Sequence, residues 1–514
     1  MGEVRSPAVL GVDIGTSSSK GVLVGFDGTI LAAATRHHTV SRPRPGHVEM
    51  DAELWWQEFV DICAELVTGD QDVVTVGVSG MGPCLLLTDA DDVPLRPAIL
   101  YGVDTRATDQ IRVLTDELGG DAVIMARCGS TLSTQAVGPK LRWVAEEEPE
   151  VFARARRMFM PSSWLVRRLT GSYLLDHHSA SQCTPLYDAV ALDWYAPWCR
   201  SVVGDLELPE LTWPGAVGGH VTPAAAALTG LAPGTPVVAG TIDAWSEAVS
   251  VGAQHPGDLM LMYGTTMFLI GTVAERITAP ALWGTVGAFE GTRNLAGGMA
   301  TSGAITGWLR DLFTGSDYAD LVALAAESGP GARGLLMLPY FAGERTPIQD
   351  PHARGVLAGL TVTHTRGDLY RAALEATAFG VRHNIEEMER AGARIERVVA
   401  VGGGTASNVW AQIVSDVTGR SQELRRHTIG ASYGAAFLAA GVCADVSIDD
   451  WNPVVEVLDP DRSLAADYDE LYRLYRDLYP ATRSISHRLA ERQRTQPPQS
   501  TRTEETNYEH LRIP

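Results

Sequence analysis

The sequence feature that most constrains the fold is a short pattern that occurs twice. An apolar run, a Gly-Thr pair and a second apolar run lie at residues 9–24 and again at residues 259–270. The apolar runs have the length and composition of strands, and each Gly-Thr pair falls in the turn between them. Because solenoid repeats recur every ~20–50 residues, the wider separation of these copies favours two related domains. Gly-Thr pairs between strands also arise by coincidence, and the repeat alone does not decide between the two explanations.

Length and charge narrow the class of protein. A chain of 514 residues predicts at least two lobes, since domains have roughly 100–200 residues. The net charge of −21 argues against nucleic acid and anionic membranes as partners. The six cysteines form no Cys-x-x-Cys pair, which argues against a zinc site and a disulfide framework. No basic-then-apolar leader and no apolar run of about 18 residues occurs, so the expected location is the cytoplasm.

The first Gly-Thr turn carries groups that suit phosphate. Gly15, Thr16 and Ser17 bring backbone N–H groups and hydroxyls to one turn, where glycine lets a ligand approach the backbone. Lys20, one of only two lysines in the chain, follows this turn. It is either a phosphate ligand or an ordinary exposed side chain. A carboxylate beside phosphate is repulsive unless Mg²⁺ lies between them. Asp13, just before the turn, is therefore either a metal ligand or a simple turn residue.

Three further segments stand out. Asp243 ends a predicted strand, where its carboxylate can accept a hydroxyl proton during phosphoryl transfer or cap the next helix. The glycines at 402–404 lie between a predicted strand and a helix, whose N–H groups can face a nucleotide. They do not match Gly-x-Gly-x-x-Gly, and no P-loop occurs, which disfavours Rossmann and P-loop folds. The small residues at 429–436 predict a helix that packs closely on its neighbours.

Taken together, these segments resemble the FGGY family of carbohydrate kinases, most closely its xylulokinase-like branch. The resemblance extends over residues 8–482. Each matching segment is modest by itself, but their occurrence in the order of the family is specific. The matching segments are Val9 to Lys20, Lys140 to Val144, Gly355 to Leu360 with Asp368 to Glu375, and Gly402 to Asn408.

The resemblance implies an α/β, two-lobed actin-like fold in which each lobe is built on a ribonuclease-H-like sheet and a central cleft holds ATP. The N-terminal lobe, residues 1–250, is expected to bind the sugar and carry the catalytic base. The C-terminal lobe, residues 251–483, is expected to bind the nucleotide. The Arg, Gln, Thr and Pro-rich composition of residues 484–514 predicts a disordered tail.

The resemblance also assigns roles to single residues. Asp243 would be the catalytic base, and Asp13 would help to hold Mg²⁺. The expected nucleotide contacts are Thr16, Ser17, Lys20, Gly264, Thr265, Gly303, Gly307, Gly404 and Asn408.

The substrate region departs from the pattern of xylulokinases. Where they carry Gln-Met-His-Gly, this chain has Met81, Gly82, Pro83 and a cysteine, so the sugar-binding histidine is replaced by proline. Loss of a donor beside a sugar hydroxyl changes discrimination strongly, and D-xylulose is therefore not assured as the substrate. Asp104 and Arg106 are substrate-side candidates or a structural ion pair.

These features predict an enzyme that phosphorylates a ketose such as xylulose, or a related sugar or polyol, with ATP and Mg²⁺. A small-molecule sugar is the expected partner, and a homodimer is among the expected assemblies. The rival is a non-catalytic actin-like protein that senses a nucleotide or a sugar. Retention of Asp13, Asp243 and both Gly-Thr turns favours the kinase, since a pure binder has no need of a base.

Overall fold

The computed structural model describes residues 5–495. The chain divides into two compact units. The first contains the residues up to Asp258 together with Ile270–Leu295 and Arg426–Pro453, and the second contains the remaining segments. The sequence predicted one boundary near residue 250, which would have assigned 270–295 and 426–453 to the second lobe.

The described strands are short on average and, numbered β1 to β24 in chain order, are Ser6–Ile14, Ser18–Gly25, Ile30–His37, Glu49–Met50, Gln71–Gly80, Leu86–Thr88, Ala98–Ile99, Arg157–Phe159, Leu174–Asp176, Tyr187–Asp188, Asp193–Trp194, Glu210–Thr212, Val217–His220, Pro236–Val238, Thr241–Ile242, Asp258–Tyr263, Met267–Val273, Trp283–Val286, Arg293–Met299, Leu336–Leu338, Val356–Ala358, Arg397–Val401, Gln422–Arg425 and Val454–Leu458.

The described helices, α1 to α17 in chain order, are Ala52–Leu66, Thr108–Glu117, Asp121–Cys128, Val137–Glu147, Pro149–Arg154, Pro161–Thr170, His177–Ser181, Ala196–Val202, Pro223–Thr229, Asp243–Ser250, Gly303–Leu312, Tyr318–Ser328, Arg366–Arg390, Asn408–Thr418, Ala431–Ala440, Ile448–Trp451 and Ala465–Thr495. Short 3₁₀ turns lie at Pro330–Gly334, Gly403–Ala406 and Arg462–Leu464.

The first unit is built on a sheet in which β1 is central. The order β13-β14-β5-β1-β2-β3 places β1 between an antiparallel hairpin partner, β2, and a parallel neighbour, β5. The antiparallel meander at the start of the chain follows the alternation of apolar runs and turns in the sequence. Its register sets Asp13 opposite Lys20 on one side and Ser79 on the other, so polar groups from three strands meet at one end of the sheet.

Helix α15 lies against this sheet at very short distance. A Cβ atom added at Gly11 would overlap the carbonyl oxygen of Ser432, and one added at Gly77 would overlap that of Ala435. A Cβ at Gly434 would likewise overlap a carbonyl of α10, so glycines allow three backbones to pack together. The predicted close-packing helix is confirmed. The helix that begins at Asp243 is thereby fixed beside β1.

In the second unit, strands β16, β22, β23 and β24 lie side by side in that order. Strands β22 and β23 are parallel, and β24 is antiparallel to β23. The hydroxyl of Tyr263 on β16 donates to Oε1 of Gln422 on β23 at 2.7 Å, and both side chains are buried. The long helix α13 begins at a capping box formed by Thr365 and Asp368, which satisfies backbone N–H groups at its start.

Helix α17 extends well past the point at which the sequence predicted a disordered tail. Ser486 and Ala490 are buried, His487 lies 2.6 Å from the carboxylate of Asp350, and Gln493 accepts from Arg354 at 2.7 Å. The prediction is wrong for residues 484–495, because packing on the second unit compensates for their polar composition. The rest of the predicted tail, residues 496–514, lies outside the described residues. Within 5–495, the structure contains no helix with the length and apolar composition of a membrane span.

Candidate active site

The carboxyl end of β1 brings Asp13 into a polar pocket of the first unit. Its side chain is buried, and Oδ1 accepts a hydrogen bond from the hydroxyl of Ser79 at 2.8 Å. Burial raises the pKa of Asp13 above its usual range, while the Ser79 hydrogen bond and the charge of Lys20 act in the opposite direction. Asp13 is therefore a carboxylate held beside a single cation, rather than a solvated turn residue.

Asp243 is the first residue of α10 and lies close enough to Asp13 for the two charges to interact. Its Oδ1 accepts from the backbone N–H of Ala244 at 2.7 Å. Burial, followed by the charge of Asp13, raises the pKa of Asp243. The N-cap position belongs to Ile242, and no side chain makes a capping hydrogen bond there. A simple helix cap, the alternative left open by the sequence, does not describe this carboxylate.

A third carboxylate, Glu247, lies one turn after Asp243 on α10. It is not part of any motif identified in the sequence. It is half-buried, and its side chain accepts no hydrogen bond from the described residues. Burial and the charge of Asp13 raise the pKa of Glu247 to about 7, whereas Lys20 lowers it. Its spacing of four residues from Asp243 could have indicated a shared helix face. The proximity to Asp13 comes from tertiary packing and has no sequence signal.

The Gly-Thr turn of the first unit is held in shape by a buried ion pair. Gly15 donates its N–H to the carbonyl of Ser18 at 3.1 Å, and its own carbonyl lies 3.0 Å from Nε2 of His38. The other ring nitrogen of His38 contacts Glu58 at 2.9 Å. Although burial lowers the pKa of His38, the hydrogen bond and charge of Glu58 raise it on balance. Nε2–H of His38 donates to the carbonyl of Gly15, and this contact limits the movement of the turn.

Thr16 links the predicted phosphate turn to the predicted substrate segment. Its hydroxyl lies 2.9 Å from the hydroxyl of Tyr101 and donates to Sδ of Met81 at 3.8 Å. Ser17 and Lys20 are exposed at the same turn. The structure therefore brings Thr16, Lys20, Met81, Asp13 and Asp243 together in one region of the first unit.

The substrate segment itself forms an apolar wall. Met81 donates its N–H to the carbonyl of Ile14 at 2.7 Å, and a Cβ at Gly82 would lie 2.6 Å from the side chain of Ile242. The peptide between Gly82 and Pro83 is cis. Burial raises the pKa of the adjacent Cys84 thiol to about 12, so it stays protonated. No side chain from 81 to 84 offers a strong hydrogen-bond donor to a sugar hydroxyl.

Asp104 and Arg106 form a buried, paired unit. Nε of Arg106 donates to both carboxylate oxygens of Asp104 at 3.0 Å, and Nη1 lies 2.8 Å from Glu49. Asp104 also accepts from the backbone N–H of Val48 at 2.6 Å, and the guanidinium lies over the ring of Trp143. These contacts form an ion pair between Asp104 and Arg106, while Nη1 of Arg106 makes no hydrogen bond among the described residues. A direct role of either side chain in substrate binding stays a prediction.

In the second unit, the other Gly-Thr turn packs on the first turn of α11. The N–H of Gly303 donates to the carbonyl of Gly264 at 3.0 Å, and that of Ala304 donates to the carbonyl of Thr265 at 3.1 Å. A Cβ at Gly303 would lie 2.6 Å from the Gly264 oxygen, so only glycine fits. A Cβ added at Gly307, one turn later, would meet only the hydroxyl of its neighbour Tyr318, at 3.3 Å.

The three glycines after β22 meet the same strand, β16. A Cβ at Gly402, where φ is +99°, would lie 2.5 Å from the carbonyl oxygen of Tyr263, and one at Gly404 would lie 2.8 Å from its side chain. A Cβ at Gly403 would meet nothing within 4 Å, so this backbone borders open space. The side chain of Asn408 donates to the carboxylate of Glu456 at 2.9 and 3.0 Å. The second unit thus brings the predicted glycines together, but it pairs Asn408 with a carboxylate.

Among residues 5–495, no group of three or more His, Cys, Asp or Glu side chains is arranged so that it could hold a metal ion. Asp13, Asp243 and Glu247 interact through their charges without converging on one point.

Comparison with known proteins assigns the family. The N-terminal domain of the FGGY family of carbohydrate kinases matches residues 8–250, and the C-terminal domain of that family matches residues 259–442. This chain belongs to the FGGY family of carbohydrate kinases. The predictions of the family and of a carbohydrate phosphotransferase are confirmed by this membership, which also implies ATP as the donor.

Individual relatives agree with this assignment. A xylulose kinase from Escherichia coli (strain K12) is 32% identical over 440 residues, which cover 84% of this chain and 89% of that protein. A gluconokinase from Bacillus licheniformis is 26% identical and covers 95% of this chain and 98% of that protein. The crystal structure of xylulose kinase from Rhodospirillum rubrum has a TM-score of 0.88 at 34% identity, and the match covers 93% of this chain and 100% of that chain. The predicted α/β, two-lobed actin-like fold of the FGGY kinases is confirmed.

Proposed function

We propose that this kinase transfers the γ-phosphoryl group of ATP to a hydroxyl of a ketose such as xylulose, or of a related sugar or polyol, with Asp243 as the general base. One observation carries the proposal. Asp243 is a half-buried carboxylate at the start of α10. Among the described residues its side chain accepts a hydrogen bond only from its own helix, and burial and Asp13 raise its pKa.

A raised pKa suits this role. A carboxylate of ordinary pKa is a weak base at neutral pH, whereas one whose pKa lies nearer neutrality accepts a hydroxyl proton more readily. As the hydroxyl oxygen attacks phosphorus, its proton passes to a carboxylate oxygen of Asp243, while the bond to the leaving ADP oxygen breaks. The N–H of Ala244 holds the other oxygen and orients the group.

The residues around Asp13 fit a magnesium ion. Their donors are hard carboxylate oxygens. The charge of Asp13 raises the pKa of both Asp243 and Glu247, so a cation beside Asp13 would relieve this repulsion. Asp13 would hold the ion, with Glu247 as a second carboxylate. When bound, Mg²⁺ neutralises charge on the phosphate oxygens. An incomplete protein cage agrees with this, because Mg²⁺ usually retains water and phosphate ligands.

Nucleotide contacts are proposed separately for each unit. In the first, Thr16, Ser17 and Lys20 would donate to phosphate oxygens from a turn that His38 holds in place. In the second, the proposed contacts are Gly264, Thr265, Gly303, Gly307, Gly404 and Asn408. The open space beside Gly403 supports nucleotide binding at the glycine turn. Asn408 would have to exchange Glu456 for the ligand.

The identity of the sugar depends on groups outside residues 81–83. Relatives of this chain include xylulose kinases and a gluconokinase, and the wall at Met81, Gly82 and Pro83 offers no donor that would select one sugar. We propose that Asp104 and Arg106 shape the substrate region indirectly, by fixing the backbone near Val48. A panel of ketoses, aldonates and polyols, assayed by ADP release, identifies the substrate.

The test of the base is an Asp243→Asn variant. We expect kcat on the best sugar to fall by about 10²–10⁴-fold, while binding of a fluorescent ATP analogue changes less than threefold. Asp72→Asn, at an exposed position of the same unit, is the matched control and should retain full activity. Near-normal turnover of Asp243→Asn would refute the assignment. If a sugar bound tightly but no sugar of the panel gave ADP release, the result would favour the non-catalytic sensor.

A further inference from the structure

A cavity of about 300 Å³ lies in the second unit among α13, α17 and the loop at 340–348. None of the residues proposed to contact the nucleotide or sugar lines it. Its volume is at the lower end of the range for small-molecule sites. The lining side chains that define its chemistry are Tyr340, His383, Tyr475, Arg476 and Tyr479.

His383 presents an unsatisfied polar group to this cavity. Its side chain is on α13, and the residue is only 6% exposed. Neither ring nitrogen has a hydrogen-bond partner among residues 5–495. Burial and the charges of Arg476 and Arg390 lower the pKa of His383 to about 3, so the ring is neutral and offers one N–H donor. A hydrogen-bond acceptor inside the cavity would therefore find a free N–H donor on this ring.

Arg476 supplies positive charge to the same cavity. Its Nη1 donates to the hydroxyl of Tyr472 at 3.2 Å and lies 3.6 Å from Glu386. The other guanidinium nitrogens, Nε and Nη2, make no hydrogen bond within the described part of the chain. Glu387, the carboxylate in the lining, is already paired with Arg390. The unfilled donors of this wall therefore favour an anion.

Tyrosine rings give the same cavity an apolar lining. The hydroxyl of Tyr340 lies 2.9 Å from that of Tyr475, and the hydroxyl of Tyr479 donates to Asp350 at 2.7 Å. The rings of Tyr340 and Tyr479 are perpendicular, with centroids 5.6 Å apart. Because the hydroxyls are engaged, the ring surfaces are what a ligand would contact, and aromatic surfaces suit a flat ring.

We propose that this cavity binds a small organic anion, in which a carboxylate or phosphate group accepts hydrogen bonds from Arg476 and His383 while a flat ring lies against the tyrosines. Charge-assisted hydrogen bonds from a guanidinium are among the strongest available to such a group. This site is separate from Asp243 and Asp13 in sequence and in residue set, and it does not depend on the identity of the phosphorylated sugar.

The experiment titrates the full chain with four probes by calorimetry: benzoate, phenyl phosphate, benzamidine and benzyl alcohol. We expect benzoate or phenyl phosphate to bind one site at least tenfold more tightly than the cationic and neutral probes. Comparing the two anions distinguishes a carboxylate ligand from a phosphate ligand. Arg476→Gln should weaken binding of the preferred anion at least tenfold. Arg473→Gln, an exposed position on the same helix outside the cavity, should change it less than twofold.

A second measurement uses the unmodified protein. In a histidine-labelled NMR sample, the preferred anion should shift one histidine resonance that is absent from the spectrum of His383→Gln. Equal affinity for benzamidine, or anion binding that Arg476→Gln leaves unchanged, would overturn the proposal. Anion binding that shifts no resonance of His383 would overturn it as well, even if one of the variants failed to fold.

Discussion

Asp243 is the carboxylate of the site whose pKa depends most on neighbouring charges, and its response to pH follows from Asp13 and Glu247. Burial has the largest effect on the pKa of Asp243 and raises it. The charges of Asp13 and Glu247 raise this pKa further. For Glu247, the charge of Lys20 acts in the opposite direction and lowers the pKa. The protonation of the proposed base is therefore adjustable by a neighbour that need not touch the substrate.

Replacing Glu247 with Gln should lower the pKa of Asp243, because one negative charge is removed. Activity requires the deprotonated base, so the acid limb of the kcat–pH profile should move to lower pH by up to about one unit. Apparent Mg²⁺ affinity should fall in the same variant. Glu65→Gln, whose side chain is exposed on α1 and pairs with Arg36, serves as the control. An acid limb that does not move would contradict the electrostatic role of Glu247.

Glu344 provides a separate prediction about stability. Its side chain is buried and accepts N–H groups from Ala300 at 2.8 Å and Arg345 at 2.7 Å, yet burial raises its pKa from 4.5 to about 8. The folded state therefore binds this proton more tightly than the unfolded state. The stabilisation is complete below about pH 4.5 and is lost progressively as the pH rises through about 8.

Glu344→Gln removes the ionisation but keeps an acceptor oxygen. Between pH 5 and pH 8, the free energy of unfolding of the wild type should decrease by at least about 1 kcal/mol more than that of the variant. Urea unfolding at the two pH values measures this. Glu327→Gln, at an exposed position of the same unit, should behave like the wild type. Parallel pH profiles for wild type and Glu344→Gln would contradict the prediction.

The positions of single residues at strand ends were predictable from the sequence where a local pattern indicated them, and their roles stay predictions. Asp13 and Asp243 each follow an apolar strand, and that position at a strand end identifies a side chain able to face a site. Glu247 and the His38–Glu58 pair were not predictable, because tertiary packing brings them to Asp13 and Gly15. The ion pair of Arg106 with Glu49 likewise depends on a contact across a long sequence separation.

At the scale of elements, the decisive contact is that of α15 with β1 and β5. Glycines in the two strands and small residues in the helix let the backbones come into direct contact. A Cβ added at these glycines would meet backbone atoms, which cannot move aside as a side chain can. The same helix holds α10, since the hydroxyl of Ser246 donates to the carbonyl of Ala431 at 2.7 Å. The position of the proposed base thus depends on glycines in other elements.

Gly77→Ala should consequently destabilise the first unit by about 2–4 kcal/mol, because the new methyl group would meet the backbone carbonyl of Ala435. Chemical denaturation followed by tryptophan fluorescence measures the change. Gly215→Ala is the control, since its Cβ would be 3.8 Å from the nearest atom. Equal stability of the two variants would show that the sheet and α15 can separate without cost.

The sequence indicated α15 through its run of small residues, and it indicated the β1–β2–β3 meander through alternating apolar runs and turns. It did not indicate the length of α17. The polar composition of residues 484–495 resembles that of a disordered segment, but buried positions at Ser486 and Ala490 and the contact of His487 with Asp350 keep it helical. Amino-acid composition alone does not predict contacts made by a few residues spaced along a polar helix.

At the scale of the molecule, the C-terminal part of α17 should contribute measurably to the second unit. A chain that ends after Arg483 loses the contacts of His487 and Gln493, and its melting temperature should fall by about 3–8 °C. A chain that ends after Thr495 keeps these contacts and should melt as the full chain does. Identical melting of both truncated chains would show that residues 484–495 add no stability.

Two lobes were predictable from length and from the repeated Gly-Thr pattern, but the two later segments that join the first unit were not. The first unit takes in Ile270–Leu295 and Arg426–Pro453, which lie far along the chain from its other residues. A sequence pattern can locate a domain start, whereas the return of the chain to an earlier unit is visible only when contacts are known.

Because the chain comes back to the first unit at residues 426–453, the first unit is completed only late in synthesis. Strands β1 and β5 leave the ribosome early, but α15, which covers Gly11 and Gly77, follows only after residue 430. The usual rule that an N-terminal domain folds before the next one is made therefore cannot hold fully for the first unit. Its sheet must wait, with one face uncovered, until almost the whole protein has been translated.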